Sequence, residues 1–203
     1  VSDSPIDVRA DVSAYFQDAV QEAVRARSVE ASAAALHYLV GLLSDFARPE
    51  RGAERTLERP VTLLLREALE ASGAERFERL RTIGDGVLYG VGFFGGALAR
   101  RGADTEYVMS VGSCAYDRAS EMLRIMGGGP SGGFDVLHEL ALKFGRFVEV
   151  IREIADGALA SGARCSSGLL RLYERWQQTG SERLAAELGA FGVFPARSPG
   201  GVH

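Results

Sequence analysis

Asp85 is the residue of this chain best placed to do chemistry. It lies in Ile83–Ala99, IGDGVLYGVGFFGGALA, a stretch that is apolar on every side and carries six glycines and one charge. A carboxyl group beside apolar surface holds its proton more tightly than one in water, which is the condition for proton transfer near neutral pH. The same residue has a structural reading. Thr82-Ile-Gly-Asp85 resembles a capping box, with threonine at the cap and a carboxylate three residues on. In that reading the helix bends or restarts at Gly84-Asp85-Gly86, and Asp85 sits in a first turn where the helix dipole favours negative charge.

Aromatic residues cluster around it. Tyr89 and Phe93 follow on the same stretch, and Tyr107 and Tyr116 on the next helix. Core packing accounts for them at least cost. If their hydroxyls share one cavity, Asp85, Tyr89, Phe93, Tyr107 and Tyr116 line a pocket for an apolar ligand with a polar head.

Other chemistries find little support in the spacing. The histidines are His37, His138 and His203, and none stands in the Glu-x-x-His order of a helical carboxylate-bridged iron site. Cys114 and Cys165 form no C-x-x-C pair and are expected as reduced, half-buried thiols. No serine lies in G-x-S-x-G. The run GGGPSGG lacks the lysine and hydroxyl of a phosphate-binding loop, and neither Gly84-x-Gly86 nor Gly90-x-Gly92 follows a strand. No catalytic residue, metal or cofactor is therefore assigned. A net charge of −4 argues against a broad nucleic-acid-binding face.

The elements that must position Asp85 are helical. Each glycine costs about 1 kcal/mol of helix stability relative to alanine, so a helix that accepts so many needs close backbone approach. Gly86-x-x-x-Gly90 and Gly92-x-x-x-Gly96 are the spacings that permit it. The partner is a neighbouring helix of the same chain, a second copy, or a ligand. Before this stretch, Ser4-Pro5 opens a first helix. A second runs from about Val29 to Ala47, with Leu36, Leu39, Val40, Leu43 and Phe46 as its core stripe. Pro60 starts a third, with Leu63, Leu64, Leu65 and Leu69 inside. Gly102 closes the glycine-rich helix and Asp104 caps a fifth, lined by Val108, Val111, Ala115, Met122 and Met126. Gly127–Gly133 reads as a flexible link. A long sixth helix spans about Phe134 to Ala160, and two shorter ones lie near Leu169–Gln177 and Ser181–Phe191.

The segment Arg76–Tyr116 resembles uncharacterised all-helical proteins of proteobacteria, over about a fifth of the chain; that resemblance carries no site residues. Asp85-Gly86-Val87 and Phe93-Phe94-Gly95-Gly96 are similar to the central-helix motif of eukaryotic apoptosis regulators, which implies recognition of a partner helix in a groove. Where that family has an Asn-Trp-Gly-Arg box, this chain reads Leu88-Tyr89-Gly90-Val91. The arginine that meets the partner's acid is missing.

These readings combine into an all-α fold, a seven- to eight-helix bundle around a buried glycine-rich central helix. It is expected as a single domain over residues 1–192 with a disordered tail at 193–203. The expected function is non-enzymatic: an interaction or regulatory protein that self-associates, with Gly86, Gly90, Gly92 and Gly96 at the interface. The alternative is a binder of a lipid or other apolar small molecule beside the central helix. Neither a nucleic-acid partner nor a membrane span is expected. The start VSDSPIDVRADVS shows no secretory pattern, so a cytoplasmic location is expected.

Overall fold

The computed structural model describes residues 8–47, 59–125, 132–162, 166–190 and 193. Among the described residues there are nine α-helices and no strand. They are α1 (Val8–Ala26), α2 (Ala33–Phe46), α3 (Val61–Glu70), α4 (Gly73–Arg100) and α5 (Thr105–Ile125), then α6 (Gly132–Leu142), α7 (Phe144–Gly162), α8 (Ser166–Thr179) and α9 (Glu182–Ala190). The protein is an all-α bundle built on one long glycine-rich helix. The cap at Ser4-Pro5, Gly127–Ser131 of the glycine run, Met126, Cys165 and the tail from 194 lie outside the described residues. Gly132 and Gly133 belong to the first turn of α6. The chain divides into two compact units, Val1–Ile151 and Arg152–His203, and the division falls inside α7.

In the first unit α4 packs against α5, α3 and α2. Leu80, Ile83, Val87, Leu88 and Val91 are buried along it, together with Gly84, Gly86, Gly90, Gly92 and Gly95. Two glycines show why. A Cβ on Gly92 would lie 2.7 Å from the Cβ of Ile151 on α7, a branched side chain anchored too close to its backbone to yield. A Cβ on Gly112 of α5 would stand 2.7 Å from Val87 Cγ1 and 2.6 Å from Phe144 Cζ. The helix propensity lost at these positions is offset by dispersion contacts that only bare backbones allow. The small-residue face at Gly92 thus meets a helix of its own chain. α4 is also long and apolar enough to cross a membrane, and half of that stretch is buried inside the chain.

Local signals end and begin these helices. Gly102, at φ +79°, follows α4, a left-handed conformation glycine adopts without penalty. Asp104 Oδ1 then accepts from the backbone N–H groups of Glu106 and Tyr107, at 3.0 and 3.1 Å, and caps α5 as its sequence predicts. Ser32 Oγ caps α2 by accepting from Ala35 N at 3.1 Å. The start of α2 is tied to α6 as well. Ser32 N donates to Glu139 Oε1, and Lys143 Nζ donates to both Glu139 Oε1 and the Glu30 carbonyl.

Three expectations are corrected. The long sixth helix is two helices, interrupted at Lys143, and this accounts for the ninth helix. No proline marks the break, though Gly145 just beyond it lowers helix propensity. In α3 the inward stripe is Val61, Leu64, Leu65 and Ala68, the i, i+3, i+4, i+7 set, with Val61 and Ala68 buried and Leu64 and Leu65 half-buried; Leu63 and Leu69, off that stripe, are 37% and 41% exposed. Finally, α4 does not restart at Gly84. Thr82 is no cap, because its hydroxyl donates backward to the Glu78 carbonyl within a continuous helix.

The second unit has its own core, formed by Leu172, Trp176, Leu184 and Leu188. It also buries charge. Glu153, Asp156 and Arg175 are each less than one tenth exposed. Arg175 Nε donates to Asp156 Oδ1 at 3.0 Å, and Arg183 Nη1 donates to Glu153 Oε1 at 3.2 Å. Gly157 makes room for Arg183, whose Nη2 lies 3.0 Å from where a Cβ would stand.

Candidate functional site

Gly84 and Asp85 act as a pair. The missing side chain at Gly84 lets the ring of Tyr116 lie against α4, where a Cβ would sit 2.5 Å from ring carbons. That approach delivers the Tyr116 hydroxyl to the neighbouring carboxylate, and it donates to Asp85 Oδ1 at 2.7 Å. From α2 comes Tyr38, whose hydroxyl donates to the same oxygen at 2.5 Å. The two rings meet edge to face, with centroids 6.3 Å apart. Asp85 Oδ2 faces Arg81, one turn earlier on α4, whose Nη1 is 3.6 Å away. One carboxylate therefore joins α2, α4 and α5 through two phenols.

Burial governs the proton chemistry of this cluster. The Asp85 side chain is 17% exposed and Tyr116 is wholly buried. Burial pushes the Asp85 carboxyl above its ordinary range, and it outweighs the hydrogen bonds from Tyr38 and Tyr116 and the charge of Arg81, all of which pull the other way. Both phenols are raised in turn, first by their own burial and then by the negative charge of Asp85. They are held as neutral donors. The arrangement can keep a proton or a negative charge at a fixed point, and it can hold three helices together.

Beside this cluster lies a cleft of about 380 Å³. Ala34 of α2, Phe77 of α4, Leu123 of α5, and Val136 and Leu137 of α6 form its apolar walls. His37, Tyr38 and Arg81 supply its polar lining. Tyr38 and Arg81 are shared between the cleft and the Asp85 cluster. A second depression, between α3 and α4, is lined by Arg59, Glu67, Glu75 and Arg79. Those charges already pair with one another, Arg59 with Glu67 and Arg79 with Glu75.

The residues expected to form one pocket are divided by the fold. Asp85 and Tyr116 are brought together. Tyr89 and Phe93 are not with them. Tyr89 stacks on Phe46 of α2 and on Phe93, each at a centroid distance of 4.5 Å, and Phe94 borders this group at 40% exposure. Tyr107 is 49% exposed in the first turn of α5 and joins neither group. Of the glycines proposed for an interface, Gly86, Gly90 and Gly92 are buried within the chain and Gly96 is half-buried. Asp85 is no helix cap, since it lies mid-helix and its Oδ1 accepts side-chain hydroxyls. Cys114 is exposed, not half-buried. Among the described residues no group of three or more histidine, cysteine or carboxylate side chains could hold a metal ion.

Tyr38 and Arg81 were not expected at the site. Arg81 was readable as an i, i+4 partner of Asp85 on one helix face. Tyr38 offered one weak signal: a buried acid needs donors, and a tyrosine on a neighbouring core helix can supply one. No protein-family model, no curated protein and no solved structure matches this chain.

Proposed function

We propose that this chain is a binding protein that takes a small apolar molecule in the cleft between α2, α4, α5 and α6. The observation that carries the reading is the cleft itself, lined by five apolar residues and three polar ones, His37, Tyr38 and Arg81. Small-molecule sites commonly measure about 300–1,000 Å³ and combine apolar linings with a few placed polar groups. A cleft at the low end of that range suits a single small molecule better than a peptide helix, which needs a groove for anchors spread over two turns. The Asp85 cluster then serves the cleft by fixing Tyr38 and the turn of α2 that carries it.

Ala34 gives a clean test because it is exposed and stands on the cleft's rim. Ala34→Trp fills the cleft from outside and leaves the core intact. It is expected to weaken binding of a neutral apolar fluorophore such as N-phenylnaphthylamine by about tenfold, a change of about 1.4 kcal/mol, with melting temperature unchanged. Equal binding by a folded Ala34→Trp protein would remove the cleft from consideration.

A second reading, association with another copy of the chain, is supported by the partly exposed aromatic group Phe46, Tyr89, Phe93 and Phe94. Aromatic residues are enriched at the centres of protein interfaces. In this reading the aromatic face, and not the buried glycines, makes the contact. Light scattering over a concentration series is expected to show a dimer that Phe94→Glu dissociates; a strict monomer in both proteins rejects self-association.

A further inference from the structure

We infer that the cleft is built for a free single-chain amphiphile with a carboxylate head, received by Arg81. This rests on the reading of the cleft as a small-molecule site and adds the class of ligand. Among the described residues lining the cleft, Arg81 is the one whose side chain carries a permanent charge. Its guanidinium has five N–H donors and three neighbours, Glu78, Asp85 and the Tyr38 hydroxyl. Nη2 donates to Glu78 Oε2 at 2.8 Å, an ion pair in which the glutamate side chain is 57% exposed. Nη1 stands 3.6 Å from Asp85 Oδ2, beyond direct hydrogen bonding. Exposed pairs such as Arg81–Glu78 contribute little and exchange readily.

Tyr38 cannot take the head's place as donor, because its hydroxyl proton is given to Asp85. Of the polar lining, His37, Tyr38 and Arg81, only Arg81 presents a permanently charged planar fork, which matches a carboxylate in bidentate geometry. A cationic head would meet that charge directly. A dianionic phosphate would be repelled by Glu78 and Asp85, which both stand within 3.6 Å of the guanidinium. A monoanion feels about half that repulsion and keeps the attraction of Arg81. Beyond the head, Phe77, Leu123, Val136 and Leu137 offer an apolar path, and the volume suits one acyl chain rather than a two-chain lipid.

The test is titration calorimetry of the full chain with decanoate and with decanol, which share a tail and differ in head. Decanoate is expected to bind about ten- to a hundredfold more tightly, the usual range for a hydrogen bond to a charged group. Arg81→Met is expected to erase that preference while decanol binding persists, and Arg81→Lys to retain part of it. Ala34→Trp is expected to weaken both ligands together. If decanol binds the wild type and decanoate binds no better, the cleft stands and the carboxylate head is wrong. If neither binds, the cleft reading fails and takes this inference with it. Should Arg81→Met not fold, the wild-type ratio alone still decides. Sedimentation with phosphatidylglycerol vesicles supplies the remaining arm: capture by vesicles without binding of free decanoate would replace the free amphiphile with a membrane surface.

Discussion

Arg175→Ala is expected to cost the second unit about 3–5 kcal/mol, the penalty for removing one partner of a buried ion pair. Asp156 is completely buried and Arg175 is 10% exposed at the side chain, so water does not replace the lost guanidinium. The scale matters. At about 0.05–0.15 kcal/mol per residue, a unit the size of Arg152–His203 has a total stability of about 3–8 kcal/mol. One substitution can consume most of it. Trp176, the single tryptophan of the chain, lies in the core of this unit next to Arg175 and reports its unfolding by fluorescence. The loss should also depend on pH. Burial, opposed by Arg175, pushes the Asp156 carboxyl above its ordinary range, and without the arginine it moves further up. A protonated Asp156 needs no counter-charge, so the deficit is largest near neutrality and shrinks in acid. Restoring a neutral pair with Asp156→Leu and Arg175→Met should recover most of the stability. A denaturation midpoint of Trp176 fluorescence that Arg175→Ala leaves in place would show that the pair contributes nothing.

Asp85→Leu is expected to lower the stability of the first unit by about 2–4 kcal/mol. Each buried hydroxyl left without an acceptor costs about 1–3 kcal/mol. Tyr116 is wholly buried and bears the full penalty, whereas half-buried Tyr38 recovers part of it from water. Asp85→Asn keeps an oxygen for both phenols and should stay within about 1 kcal/mol of wild type, the scale of one neutral hydrogen bond. The wild type and Asp85→Asn part company with pH. The folded-state pKa of Asp85 is raised by burial above the unfolded value of about 3.9. Its stabilising contribution is thus fully present below that pH and is lost as pH rises through the folded value. A carboxamide does not titrate, so the melting temperature of Asp85→Asn minus that of wild type should increase as pH climbs above about 4. Thermal melts of both proteins across that range decide it. A gap that stays level or narrows would mean that the carboxylate is not a buried charge.

Much of the architecture was legible from neighbours along the chain. The helical class, the burial of Ile83, Val87, Leu88 and Val91 with the glycines between them, the stop at Gly102 and the Asp104 cap all follow from periodicity, glycine conformation and side-chain capping, which act over a few residues. Asp85 was legible as a candidate because one charge in an apolar helix demands an explanation. Its partners were not. Tyr38 is 47 residues away and Tyr116 is 31, and no period in a sequence encodes which hydroxyl reaches which carboxylate.

Helix crossing decided the remainder. It set Gly92 against Ile151 and the Tyr116 ring against Gly84, it left Tyr107 in solvent, and it opened the cleft between Ala34 and Leu137. In the second unit it buried Asp156 with Arg175. Local propensity and capping depend on residues a turn apart, so the amino-acid order specifies them directly. Contacts between helices depend on how whole surfaces interlock, and only the packed chain selects them.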